Sequence, residues 1–498
     1  MRYHKTVIFY FKSEVVMRLK TRFILFFFIV FPFVSHGATK VVLFGGGFTP
    51  NTSQVSIELN ARWIYNILNK KPENDLEVYY TDGNSSGVDV RQIKTSNHGS
   101  KKFEPLARIY SDYTKNGISF YSSNLIESVK TSDLDNISKD IDKLLLNSSS
   151  EDDVILIYQG HGGYNESNTN NNYLKLWNNT RLTVFELESL ISNTSTVATV
   201  RFFLPQCYSG AFTRLIYDKS DIELGLASGK RCGFVSQRED RISEGCTDSV
   251  NLSGYKDYSS YFFSAIDNKT IDGKSITTNP DIDNTGSVSL YEAHIYSLIN
   301  AHSIDYPRST SEEYLLNWQP WYLKWLPNTN SVDNTYSRVS DSIAENIGIE
   351  TKHDNVIKKV SEMLASNKAN MMSKKYQRNL LKDTISKIQA SIKHEIEMQW
   401  PSIKYPYTIQ FNTTIVSNVQ NISNAIISNE QYNALAEAQT LSLELKKDLL
   451  NLQRDQVQLV KILEMRRLSR ILNQFDSYAS EKHKNEYNQI LDCENFVL

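Results

Sequence analysis

A histidine and a cysteine, each just past the end of a short apolar run, are the residues of this chain best suited to breaking a covalent bond. The histidine is His161 in Val154-Ile155-Leu156-Ile157-Tyr158-Gln159-Gly160-His161-Gly162-Gly163, and the cysteine is Cys207 in Arg201-Phe202-Phe203-Leu204-Pro205-Gln206-Cys207-Tyr208-Ser209-Gly210. A thiol nucleophile needs an imidazole to carry a proton to the leaving amine, and N–H donors for the oxyanion of the tetrahedral intermediate. Cys207 is therefore the candidate nucleophile and His161 the candidate general acid/base. The backbone N–H groups of Gly162 and of Cys207 itself are the candidate oxyanion donors. Gly160, Gly162 and Gly163 leave room for a substrate backbone where a Cβ would obstruct it.

The elements that must position this pair follow from the pattern of apolar residues. From residue 40 to about 325, short apolar runs alternate with amphipathic stretches, the mark of an α/β fold with a mostly parallel sheet and helices on both faces. Strands are expected at 40–44, 76–80, 153–158, 199–204 and 232–235. Helices are expected at 55–68, 134–146, 184–191, 258–266 and 290–301. Ligands of such sheets bind outside the carboxyl ends of the strands, where His161 and Cys207 both fall.

Beyond Pro320, Trp321 and Pro327 the chain turns rich in Lys, Glu, Gln, Asn and aliphatic residues and nearly free of glycine. This predicts an all-α region over 346–498 after a linker at 328–345, following an α/β domain at 39–327. Trp400-Pro401 and Tyr405-Pro406 should end one helix. Leu445, Leu449, Leu452, Leu459 and Leu463 keep the spacing of a packed seam, which Gln456 and Arg466 interrupt. A helical bundle or hairpin packed on another element fits better than a free coiled coil. With 498 residues the chain is long enough for two cores.

The two strand-end stretches resemble the caspase/legumain group of cysteine peptidases. In the caspase signature a His lies about 50 residues upstream of Gln-Ala-Cys-x-Gly, a separation that 161 and 207 fit. Cys207-Tyr208-Ser209-Gly210-Ala211 is closer to the Cys-x-Ser-Gly-Ser/Ala turn of legumains, so the resemblance is to a legumain-like or bacterial caspase-like relative. It spans roughly residues 40–325, and only the His and Cys stretches are specific. It implies a caspase-like sheet and an endopeptidase that acts on protein or peptide substrates. The Cys-His dyad would work through a thioacyl-enzyme, with no cofactor for catalysis.

In that group the strand after the cysteine lines the pocket for the residue before the cut bond. Here Ser236 and Ser243 are candidate walls. Glu239 or Asp240 facing inward would select Arg or Lys, whereas Arg238 or Arg241 would select an acidic residue. The same alternating charges also read as a solvated loop. In legumains a helical C-terminal prodomain covers the active site until it is cleaved. Residues 346–498 are accordingly a candidate for an intramolecular or partner contact. Two alternatives stay open: a catalytically silent scaffold that binds a partner protein through the helical region, and a transpeptidase in which an amine replaces water.

Other features bound the reading. A net charge of −2 without a long basic run gives no nucleic-acid footprint. Arg18, Lys20 and Arg22 before the apolar run 23–34, then Ser35 and Gly37, read as an export signal over 1–38. The true start is expected at Met17, and the product is expected to be secreted or periplasmic. No segment is long enough to span a membrane. Among the four cysteines, Cys232 and Cys246 are the expected pair if Cys207 stays free. The stretch 281–292 matches a calcium loop in register, with Asp281, Asp283, Thr285 and Glu292 at ligand positions. A turn in which Ser289 caps the following helix explains the same residues. Gly45-Gly46-Gly47 reads as a tight strand-to-helix turn rather than a phosphate cradle.

Overall fold

Val41 and Leu43 belong to one hydrophobic core and Val42 and Phe44 to another. A strand buried on both faces must read as a continuous apolar run. The computed structural model describes residues 37–93, 102–110, 118–192, 198–246, 250–325, 333–351, 356–406 and 408–498. In chain order the elements begin β1 (Thr39–Gly46), α1 (Val55–Leu68), β2 (Asn74–Tyr80), β3 (Val90–Ile93), α2 (Glu104–Tyr110), β4 (Ile118–Tyr121), α3 (Leu134–Leu146) and β5 (Asp153–Gly160). Next come β6 (Gly162–Gly163), β7 (Tyr173–Leu176), β8 (Thr180–Thr183), α4 (Val184–Ser192), β9 (Thr199–Leu204) and β10 (Arg231–Val235). They are followed by α5 (Tyr258–Asp267), α6 (Leu290–Asn300), β11 (Arg308–Ser309) and α7 (Thr310–Trp318). The helical region contains α8 (Thr335–Asn346), α9 (Val356–Gln399), α10 (Ile409–Ser428), α11 (Tyr432–Tyr478) and α12 (Glu481–Glu494).

The central sheet has the order β11-β10-β9-β5-β1-β2, parallel except for the short edge strand β11. One face is covered by α1, α5 and α6, and the other by α3 and α4. Counting the parallel strands in chain order gives 2-1-3-4-5, the doubly wound order whose topological switch lies between the first and third strands, here β1 and β5. Local signals set the helices. Asp133 accepts the Asn136 N–H at the start of α3, and Ile137, Ile141 and Leu145 bury the one stripe that helix offers. The expected strand at 199–204 and helices at 55–68 and 134–146 coincide with β9, α1 and α3.

The helical region is built into the same compact unit, which runs from Gly37 to Leu498. α9 and α11 form an antiparallel hairpin: Asn367 reaches Leu452, Lys374 pairs with Asp448, and Gln389 and Gln439 both donate to the Arg108 carbonyl. Trp400-Pro401 ends α9 as expected. The base of the hairpin joins α6, α7, α8, α12 and β10 in one core.

Two expectations differ, and a third falls almost wholly outside the described residues. The disulfide is Cys232–Cys493, not Cys232–Cys246, because α12 packs on β10 and brings together cysteines 261 residues apart. The expected linker at 328–345 carries most of α8 in its described part. The export signal at 1–38 lies, apart from Gly37 and Ala38, outside the described residues. No helix among the described residues is long and apolar enough to cross a membrane.

Candidate active site

β5 and β9 lie side by side, so the residues that follow them, His161 and Cys207, emerge at the same edge of the sheet. Beside β5 lies β1, whose Gly-rich end turns sharply: Gly46 has φ +103° and Gly47 donates its N–H to the Ser53 hydroxyl at 2.9 Å. This turn delivers a helical turn at Pro50–Thr52 to the imidazole. His161 Nε2 lies 2.8 Å from the Thr52 carbonyl oxygen and 2.8 Å from Gln54 Oε1. A carbonyl oxygen only accepts, so Nε2 carries the proton and Nδ1 is left as the basic nitrogen.

Cys207 sits on a turn strained by the left-handed backbone of Tyr208, φ +60°. Its Sγ accepts the Ser243 N–H at 3.2 Å and makes no hydrogen bond with His161. The thiol that meets the imidazole is Cys246, exposed, with Sγ 3.4 Å from His161 Nδ1. Burial pushes the Cys207 thiol above its usual range, and the nearby Asp305 adds to this, while the Ser243 N–H and the positive Lys175 pull it down. Burial also holds His161 below the ordinary imidazole value, helped by Lys175 and Arg91 and opposed by the contact with Thr52. Neutral imidazole and neutral thiol are thus the resting forms at pH 7.

Gly162 lies tight against the cysteine turn. A Cβ built on it would stand 1.8 Å from the Cys207 carbonyl oxygen, so the glycine admits the cysteine turn itself rather than a substrate backbone. Asn172, on the hairpin side of His161, ties the pieces together by donating to the carbonyls of Tyr208 at 3.1 Å and Glu239 at 2.8 Å. Tyr208 in turn donates its N–H to the Arg241 carbonyl at 2.8 Å. Gln206, 2% exposed, lies against Gly162, and neither of its amide atoms has a hydrogen-bond partner among the described residues.

The expected pocket residues fare unequally. Ser243 reaches Cys207, whereas the buried Ser236 spends its hydroxyl on the Pro205 carbonyl and Ser243 Oγ, both at 2.7 Å, beneath the cysteine turn. Asp240 pairs with Arg238 at the surface, as a solvated loop would have it, and Glu239 enters the network through its carbonyl. In the 281–292 loop, carboxylate oxygens of Asp281, Asp283 and Glu292 lie within 4.8 Å of one another, but Thr285 turns its hydroxyl to the Ser287 carbonyl. Glu292 also completes a capping box with Ser289 at the start of α6. Sequence reasoning missed Thr52, Gln54, Asn172 and Cys246. For Thr52 and Gln54 a signal existed, since the switch-point rule places the end of the first strand beside that of the third.

No protein-family model and no curated protein matches the chain. Among solved structures, the crystal structure of protein GSU0716 from Geobacter sulfurreducens overlaps 55% of this chain and 92% of its own, at 11% identity and a TM-score of 0.30. So slight a likeness carries no argument about this chain.

Proposed function

We propose that this protein is an exported cysteine endopeptidase of the caspase/legumain-like kind, with Cys207 as nucleophile and His161 as general acid/base. The observation that carries the reading is the orientation of His161. The Thr52 carbonyl holds Nε2–H, so Nδ1 is the proton acceptor at the sheet edge that Cys207 shares. Supporting features are the strand order, the antiparallel edge strand, and the N–H donor on Cys207 Sγ. Export rests on the N-terminal sequence.

With a neutral pair, proton transfer accompanies attack. Cys207 Sγ bonds to the substrate carbonyl carbon as its proton passes to His161 Nδ1, and the carbonyl electrons move onto oxygen to form the tetrahedral intermediate. On collapse the C–N bond breaks and the imidazolium protonates the leaving nitrogen. Water, activated by the regenerated imidazole, then cleaves the thioester. An amine in place of water would give the transpeptidase outcome.

The Cys246–His161 contact favours a second reading, in which Cys246 is the nucleophile on the same imidazole. A peptide library varied before the cut bond, incubated with the parent, Cys207→Ala and Cys246→Ala proteins, separates the two. Loss of cleavage in the Cys207 variant alone supports the first reading, and loss in the Cys246 variant alone supports the second. No cleavage by the parent, with neither thiol alkylated at neutral pH, leaves the partner-binding scaffold.

A further inference from the structure

Four consecutive residues, Ser243 to Cys246, run along the candidate site, and each is held by a different part of the molecule. The Ser243 N–H lies on Cys207 Sγ and the Cys246 thiol on His161 Nδ1. Between them, Gly245 accepts the Ser56 hydroxyl of α1 at 2.7 Å. Glu244 points away from the site into a socket built by the C-terminal half of the chain. Its carboxylate takes a forked set of bonds from Arg454 of α11 through Nε (3.1 Å and 3.3 Å) and the terminal NH2, together with the Ser303 hydroxyl at 3.0 Å and the Ile304 N–H at 2.9 Å. The Glu244 N–H donates to the buried Asp305 at 2.7 Å.

The two side chains of this ion pair are only 15% and 13% exposed, which separates it from the solvated pairs that contribute little. Arg454 does not act alone on its helix. Gln458 and Lys461, four and seven residues on, share its face and donate to the Ala301 carbonyl at 2.5 Å and 3.1 Å. That face of α11 therefore grips the segment 301–305 on which Glu244 rests.

We infer that Arg454 is a positioning residue for the catalytic thiol: through Glu244 it holds the segment 243–246 so that the Ser243 N–H stays on Cys207 Sγ. The inference rests on the peptidase reading for its importance, but not for its test. An N–H donor stabilises a thiolate more than a thiol, so losing it makes the thiol harder to ionise. The other charged groups facing Cys207 are Lys175 and Asp305, and Asp305 itself accepts the Glu244 N–H, so it belongs to the arrangement that Arg454 holds.

The experiment uses the full chain carrying Cys246→Ser, in which Cys207 is the free thiol and Cys232–Cys493 the disulfide. The rate of Cys207 alkylation by iodoacetamide is followed against pH for Arg454, Arg454→Ala and Arg454→Lys. The expected result is a midpoint about one pH unit higher in Arg454→Ala, the size of one lost hydrogen bond to a charged group, with at least half recovered in Arg454→Lys. Peptide cleavage, measured in the Cys246 background, falls by roughly ten- to a hundredfold. An unmoved midpoint overturns the inference. If Arg454→Ala does not fold, Glu244→Gln, which keeps the shape but not the charge, must raise the midpoint in the same direction or the inference fails. A raised midpoint in a protein that cleaves no peptide sinks the peptidase reading and leaves the positioning intact. Cleavage with an unmoved midpoint does the reverse.

Discussion

The base and the tip of the helical hairpin share α9 and α11, with α10 added at the tip, yet they relate to the rest of the molecule in opposite ways. At the base, residues such as Ile462, Met465 and Phe475 of α11 share a core with Cys232 of β10, Leu298 of α6 and Ile490 of α12. The disulfide adds a covalent tie, and Glu494 lies buried against Thr310 and Ser311, its carboxyl pushed up to about 7 chiefly by that burial. At the tip, Leu106 and Ile109 of α2 meet Ile392, Ile396, Ile422 and Ile426 in a small separate cluster. There Ile409 and Val416 are each 81% exposed. A helical region that leaves after cleavage, as the legumain resemblance implies, conflicts with the base, which is part of the foundation of the sheet. Helical character alone does not make a segment removable, and burial and cross-ties keep this one in place.

Replacing both cysteines, Cys232→Ser with Cys493→Ser, should remove about 3–5 kcal/mol, since the bridge closes a loop of 261 residues. A urea midpoint equal to the parent's would deny the base its special standing. Next in size, Ile422→Ala at the tip should cost about 2–4 kcal/mol, seen as faster amide exchange in α10. The alkylation profile of Cys207 should stay unchanged; if it moved, the tip would be coupled to the site after all.

The site itself offers a smaller effect. The dyad needs a neutral imidazole, so cleavage should rise with pH along a limb set by His161 and lying below the ordinary 6.5. Lys175→Met removes a charge that lowers His161 and should move that limb upward, while Ile422→Ala should leave it in place. A parent limb above 6.5 would contradict a burial-depressed histidine. Smallest of all, a chelator should lower the thermal midpoint by roughly 2 °C if the 281–292 loop takes calcium. The loop leads into Leu290, whose N–H donates to the Phe496 carbonyl, so the loss should appear at the base. An unchanged melt leaves Glu292 to its capping box alone.

Much of the α/β half was legible because its signals are local. Continuous apolar runs mark strands buried on both faces, and the spacing of Ile137, Ile141 and Leu145 marks a helix with one buried stripe. The hairpin β6–β8 was not legible. Gly162-Gly163 has no side chains to pattern, and its pairing with Leu174 and Tyr173 is a backbone matter. The short strands β3 and β4 pair across the stretch that holds α2, which escaped notice for want of a periodic run.

By itself, then, the sequence determined the class of fold, the helical character of the C-terminal region, and the placing of His161 and Cys207 beyond two strands, since hydrophobic periodicity and strand ends are written in neighbouring residues. Tertiary structure alone decided what surrounds that pair. It brought the Thr52 carbonyl to Nε2, Cys246 to Nδ1, Ser243 to Sγ, and Arg454 to the segment carrying them, and it gave Cys232 a partner in Cys493. These contacts join residues tens to hundreds of positions apart: the strand order of the sheet makes neighbours of those around His161 and Cys207, and the packing of α11 and α12 on it brings in Arg454 and Cys493.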